Sequence, residues 1–305
     1  MEGEVKEGDI GNSLESPEVS LKIRKEDIHP EIPESGGTVF VLQVNARDRR
    51  DPKSPEFGAL MPKAAEQTVD QGEAFFKDVF ERLTSEERAK VAIVVCASDA
   101  KLKMPAGTNS DHKRAMETGE KVLEGIRKAT TAYEVNPNQL LNDTEEHEGK
   151  PVGVDGLRDL LFWSRPEFVE YMKRTYGSGR ELWKAYEADE VDVRRKRMEM
   201  GVEGPLEIAI RTRKALTGLT VTWAKKYHEE HPGALVFIWV IGHYDNVAPW
   251  VNGYVFDRDP RGGEHYIETQ KGGGIAVNID PRGETAKTTI GGKEYQVRSL
   301  LSKPY

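Results

Sequence analysis

The sequence predicts an α/β fold, a three-layer α/β/α sandwich around a mostly parallel sheet, with a helical insertion. Two observations carry this. Three short apolar runs, Val39–Val44, Val91–Ala97 and Ala234–Ile241, have the length and β-branched content of buried strands. Between them lie segments whose apolar residues recur at helical spacing, an order that covers both faces of such a sheet. The 305 residues are enough for one large α/β domain or two small ones.

Residues 1–35 are rich in Glu and Asp and hold three prolines among few large apolar side chains. Such a composition does not offset its ordering entropy, so a mostly flexible acidic tail is expected, with Leu21-Lys-Ile-Arg docking locally. A single domain is expected over 36–305. Its first strand stops at Asn45-Ala46 and delivers Arg47, Asp48 and Arg49. After a polar loop from Asp51 to Gly58, Leu60-Met-Pro62 opens a helix along which Phe76, Val79, Phe80 and Leu83 keep helical spacing. The second strand ends at Ser98-Asp99. A helix from His112 to Arg127 follows, with Arg114 at its start.

From about 133 to 201 the pattern loosens into an insertion, with amphipathic helices at Pro166–Tyr176 and Glu181–Arg197 and a run of aromatic residues. Those aromatics fit a core stripe better than a ligand cage. A long helix is bounded by Gly204-Pro205 and Pro232-Gly233, and the most hydrophobic strand then ends at Gly242-His243. Turn signals at Lys271-Gly-Gly-Gly, Pro281-Arg-Gly and Gly291-Gly bound a closing hairpin of Ile275–Ile279 with Glu294–Leu300.

Composition excludes several classes. The formal charge is -8, which argues against nucleic acid as the main partner. No apolar stretch reaches the ~20 residues of a membrane span, so a soluble, cytoplasmic protein is expected. The single cysteine, Cys96, lies inside the second apolar run and reads as buried and inert. There is no Gly-rich phosphate loop after the first strand, no cysteine pair and no close histidine set for a metal, so no cofactor is expected.

Parallel strands present their carboxyl ends on one side of a sheet, where ligands bind. Arg47-Asp48-Arg49, Ser98-Asp99 with Arg114 beyond, and His243 would then converge. Arginines and a histidine together suit a phosphate, which guanidinium groups hold as planar forks.

At this point the chain, from about Gly37 to Leu300, resembles the histidine phosphatases, the phosphoglycerate mutase-like superfamily. Arg47-Asp48-Arg49 takes the place of the family's Arg-His-Gly or Arg-His-Glu after its first strand. Leu60-Met-Pro-Lys-Ala-Ala-Glu-Gln-Thr68 is similar to its first helix start. Ala97-Ser-Asp and Arg114-Ala-Met-Glu-Thr118 look like its serine turn and Arg-Ala-x-x-Thr helix, Glu207 to Arg211 or Arg213 like its Glu-x-x-x-x-Arg, and Gly242-His243 like its second histidine.

The resemblance implies metal-independent hydrolysis of phosphate monoesters, with Arg47, Arg114 and His243, and Arg49 in support, as the phosphate pocket. It also implies a general acid, for which Asp159 is the first candidate and Asp245 the second. The departure is Asp48, a carboxylate where the family has its nucleophilic histidine. An alternative register puts Asn45-Ala46 at that motif, likewise without a histidine. Hydrolysis is therefore expected to be weak or lost, and the competing expectation is a non-catalytic module that binds a phosphorylated small molecule or a protein.

Overall fold

The computed structural model describes residues 21–30, 32, 36–49, 51, 53–101, 112–157, 162, 165–257 and 266–297. In chain order the elements are β1 (Lys22–Ile23), β2 (Thr38–Val44), α1 (Pro62–Arg82), α2 (Ser85–Arg88), β3 (Val91–Ala97) and α3 (Arg114–Ala132). Then come β4 (Val152–Gly153), α4 (Pro166–Tyr176), α5 (Arg180–Ala188), α6 (Val191–Glu199) and α7 (Pro205–Thr217). A π-helical turn, Gly218–Trp223, joins α7 to α8 (Ala224–Glu230). The chain continues with β5 (Leu235–Gly242), α9 (Tyr244–Tyr254), β6 (Glu268–Thr269), β7 (Gly274–Ile279), β8 (Ala286–Ile290) and β9 (Lys293–Gln296).

The main sheet has seven strands in the order β4-β3-β5-β2-β7-β8-β9. The first four are mutually parallel and the last three run antiparallel to their neighbours. The sandwich follows from the period of two in the strands. Val39, Val41, Ile93, Val95, Phe237 and Trp239 face one layer, where Phe75, Phe76, Val79 and Phe80 of α1 meet Val122, Leu123 and Ile126 of α3. Phe40, Leu42, Val94, Val236, Ile238 and Val240 face the other, against Leu216, Ala224 and the α9 residues Val247, Trp250 and Val251.

The helices α1 and α3 touch backbone to backbone. A Cβ at Gly72 would stand 2.8 Å from Val122 O, and one at Gly125 would stand 2.7 Å from Glu73 N and closer still to Val69 O. Glycine at these positions therefore sets how near the two axes come.

Leu21-Lys-Ile-Arg, expected to dock locally, does so as β1 beside β6 with Ile23 fully buried in the core, while residues 1–20 lie outside the described residues. Three features depart from the sequence reading. The 133–201 insertion is not all cap, since Val152–Gly153 extends the sheet beside Cys96-Ala97. The helix expected over Glu181–Arg197 is two, broken where Asp189 turns left-handed at φ 47 and accepts Arg197 Nε at 2.6 Å. The closing hairpin is a three-stranded meander, because Ala286, Thr288 and Ile290 alternate inward as a further strand. The long helix after Gly204 is continuous, although a π turn interrupts its hydrogen-bond pattern. Cys96 is buried as expected, and burial pushes its thiol up to about 12. Among the described residues no helix is long and apolar enough to cross a membrane.

Candidate functional site

The site is built by strand pairing. Seven residues of β2 run in register with β5, ending with Val44 opposite Gly242. The next residue on each strand is Asn45 and His243, and Asn45 N donates to Gly242 O at 2.9 Å. The amide of Asn45, rather than the carboxylate of Asp48, therefore meets the histidine: His243 Nδ1 lies 3.3 Å from Asn45 Oδ1. On the other side of the ring, Nε2 lies 3.1 Å from Ser98 Oγ at the end of β3.

Asn45 Nδ2 donates to Ala46 O at 2.9 Å, which turns its Oδ1 toward His243 Nδ1, and Ser98 Oγ accepts from Ala100 N at 3.3 Å. The His243 backbone N donates to Asn246 Oδ1 at 3.1 Å, which ties the first turn of α9 to the strand end. With 1% of its surface exposed, the imidazole lies among protein partners.

The cluster extends to α3. Ala46 N donates to Thr118 Oγ1 at 3.0 Å, and that hydroxyl donates to Arg114 O at 2.7 Å, one turn earlier. Arg114 opens the helix with only 6% of its surface exposed. An arginine stays charged in folded proteins, so this arrangement keeps a buried cation in the first turn of α3, beside the ends of β2 and β3. His243, Ser98 and Asn45 thus meet at the carboxyl ends of β5, β3 and β2, and Thr118 links Ala46 to the backbone of Arg114 at the start of α3.

The other expected residues are placed differently. Asp48 is buried at 4% exposure and forms a backbone bridge with Leu60, in a short ladder where Met61 N donates to Arg47 O and Arg49 N to Ala59 O, each at 2.9 Å. Arg47 is exposed and lines a cleft on the other side of β2. Arg49 forms an ion pair with Glu56 in the loop before α1. Burial keeps alternating beyond β2, with Ala46 and Asp48 buried, Arg47 exposed and Arg49 half-buried.

Asp159 lies outside the described residues. Asp245 is partly buried in the first turn of α9. Glu207 and Arg211 serve the architecture: Glu207 accepts Gly204 N at 3.0 Å as a cap, while Arg211 binds Glu203 and Gly156 O.

Glu187 of α5 was not anticipated. It is almost fully buried and accepts a hydrogen bond from Tyr244, the residue after His243. Burial pushes its carboxyl up to about 8; the Tyr244 bond works against the rise and the nearby Asp245 charge adds to it. The available signal was its spacing, four residues after Trp183 and next to Tyr186 on the apolar stripe of the helix. Among the described residues, no group of three or more His, Cys, Asp and Glu side chains is placed to hold a metal ion.

No protein-family model matches the chain, and no curated protein matches it. Among solved structures, it is similar to phosphoglycerate mutase from Bacillus anthracis str. Sterne at 11% identity, with a TM-score of 0.47, over 85% of this chain and 94% of that one. It is also similar to Hafnia alvei phytase, solved in complex with myo-inositol hexakis sulphate, at 12% identity and a TM-score of 0.35, over 88% of this chain and 91% of that one.

Proposed function

We propose that this chain is a histidine-phosphatase-like protein that binds a small phosphate monoester at the carboxyl edge of its sheet, with hydrolysis weak or absent. The observation that carries this reading is the β2–β5 register, which sets the amide of Asn45 against the ring of His243. Phosphoryl transfer through a covalent intermediate needs a nucleophile next to the phosphate, and a carboxamide is not one. What remains is a set of binding groups. Arg114 supplies charge and a forked donor, while Ser98 and His243 supply polar contacts in a water-poor setting. The cap of α4–α6 would select the ester's organic part, and no cofactor is required.

The test is binding and turnover measured together. Isothermal titration with orthophosphate should show binding that is lost in Arg114→Met and His243→Gln, with folding checked by circular dichroism. Release of phosphate from p-nitrophenyl phosphate, with EDTA present, should be slight or absent. Efficient turnover abolished by Asp48→Asn would replace this reading with an aspartyl nucleophile. Phosphate binding untouched by both substitutions would remove the site.

A further inference from the structure

The carboxyl end of β2 has a second side, facing β7 where the His243 cluster faces β5. A cleft of about 480 Å³ opens there. Lys25, Arg47, Lys63 and Lys271 line it, together with the amides of Gln67 and Gln270. Its four cations come from four separate segments: the strap after β1, the loop after β2, the first turn of α1 and the turn before β7. Among the described residues no carboxylate lines it, in a chain that has 52 acidic residues against 44 Lys and Arg.

The walls are built rather than incidental. Gln43 Nε2 and Gln71 Nε2 both donate to Gly272 O, at 3.0 and 3.3 Å, which fixes the β7 side. Lys25 Nζ donates to Gln67 Oε1 at 3.0 Å, which draws the strap onto α1. The first turn of α1 contains no acidic residue and its N-cap, Met61, offers no side-chain acceptor. Lys63 and Ala64 of that turn line the cleft, and first-turn N–H groups have no partner within the helix.

We infer that this cleft binds a small ligand bearing several phosphate groups, at a site separate from the His243 cluster. A cleft of this size is within the range of small-molecule sites, and cations spread over its rim match charge distributed along a phosphate chain. The inference does not depend on the phosphate monoester reading, since none of its six named groups belongs to the His243–Ser98–Asn45–Arg114 set.

The experiment is isothermal titration of the full chain with sodium tripolyphosphate, at low and at high NaCl. Binding should weaken by roughly tenfold or more in Arg47→Gln/Lys63→Gln, two exposed positions where the fold does not depend on the side chain, and should weaken with added salt. In His243→Gln the affinity should stay within about twofold of the unmodified chain. Absence of binding, or binding that Arg47→Gln/Lys63→Gln leaves unchanged, overturns the inference. Binding lost in His243→Gln but kept in the double variant assigns the anion to the other site and overturns it too.

Discussion

Glu187→Gln should flatten the pH dependence of stability. In the unfolded chain this carboxyl titrates near 4.5, and in the fold burial moves it to about 8. The native state therefore holds a proton that the unfolded state releases. That contribution to stability is fully present below the unfolded value and is lost as pH rises through the folded one. Each pH unit between the two values removes ~1.4 kcal/mol, so from pH 5.5 to 8.5 the loss is about 3 kcal/mol.

Two structural facts make the charged form costly. Glu187 has 2% of its surface exposed, and its Oε2 has no hydrogen-bond partner among the described residues. Glutamine keeps the acceptor for Tyr244 and removes the titration. Urea unfolding at pH 5.5, 7 and 8.5 reads the effect: the stability of the unmodified protein relative to the variant should fall by about 3 kcal/mol across that range. A difference that varies by less than ~0.5 kcal/mol over the same range would refute the argument and show that the carboxyl is reached by water.

Further outcomes follow from the same structure. Asn45→His places an imidazole opposite His243, and release of phosphate from p-nitrophenyl phosphate should rise roughly tenfold or more, whereas Asp48→His should not produce this gain. Ile23→Ala should cost ~2–5 kcal/mol in urea unfolding, because the side chain is wholly buried in the core beside β6; a loss near zero would return β1 to the tail. Gly125→Ala should cost ~1–3 kcal/mol and lower the melting temperature, since the new Cβ meets the α1 backbone.

The central strands were legible because each is a continuous apolar run buried on both faces, a signal that local sequence carries by itself. The strands that were missed carry no such run. Val152–Gly153 has two residues, and Ala286–Ile290 alternates with Lys287 and Thr289. The helix Tyr244–Tyr254 was hidden by Pro249, which reads as a breaker but is accommodated inside it.

That Ser98 and His243 follow strand ends and Arg114 opens a helix was readable in the sequence. The choice between Asn45 and Asp48 was not, because it depends on how β2 registers against a strand nearly two hundred residues away. Arg47 and Arg49 were set by partners outside their own segment, the cleft beside Gly272 for Arg47 and Glu56 for Arg49. Glu187 was obscure for a related reason: its environment comes from Tyr244 and Asp245, far along the chain.

The contact between α1 and α3 has a consequence for the stiffness of this face of the sandwich. Where two backbones touch there is no layer of side chains to yield, so the pair behaves as a single plate. Lys63 and Arg114 stand at the leading ends of its two helices, so the backbone contact sets the spacing between them. The α4–α6 segment packs as a cluster of its own around Phe162, Phe168 and Tyr186, joined to the sandwich where Trp183 and Glu187 meet Tyr244.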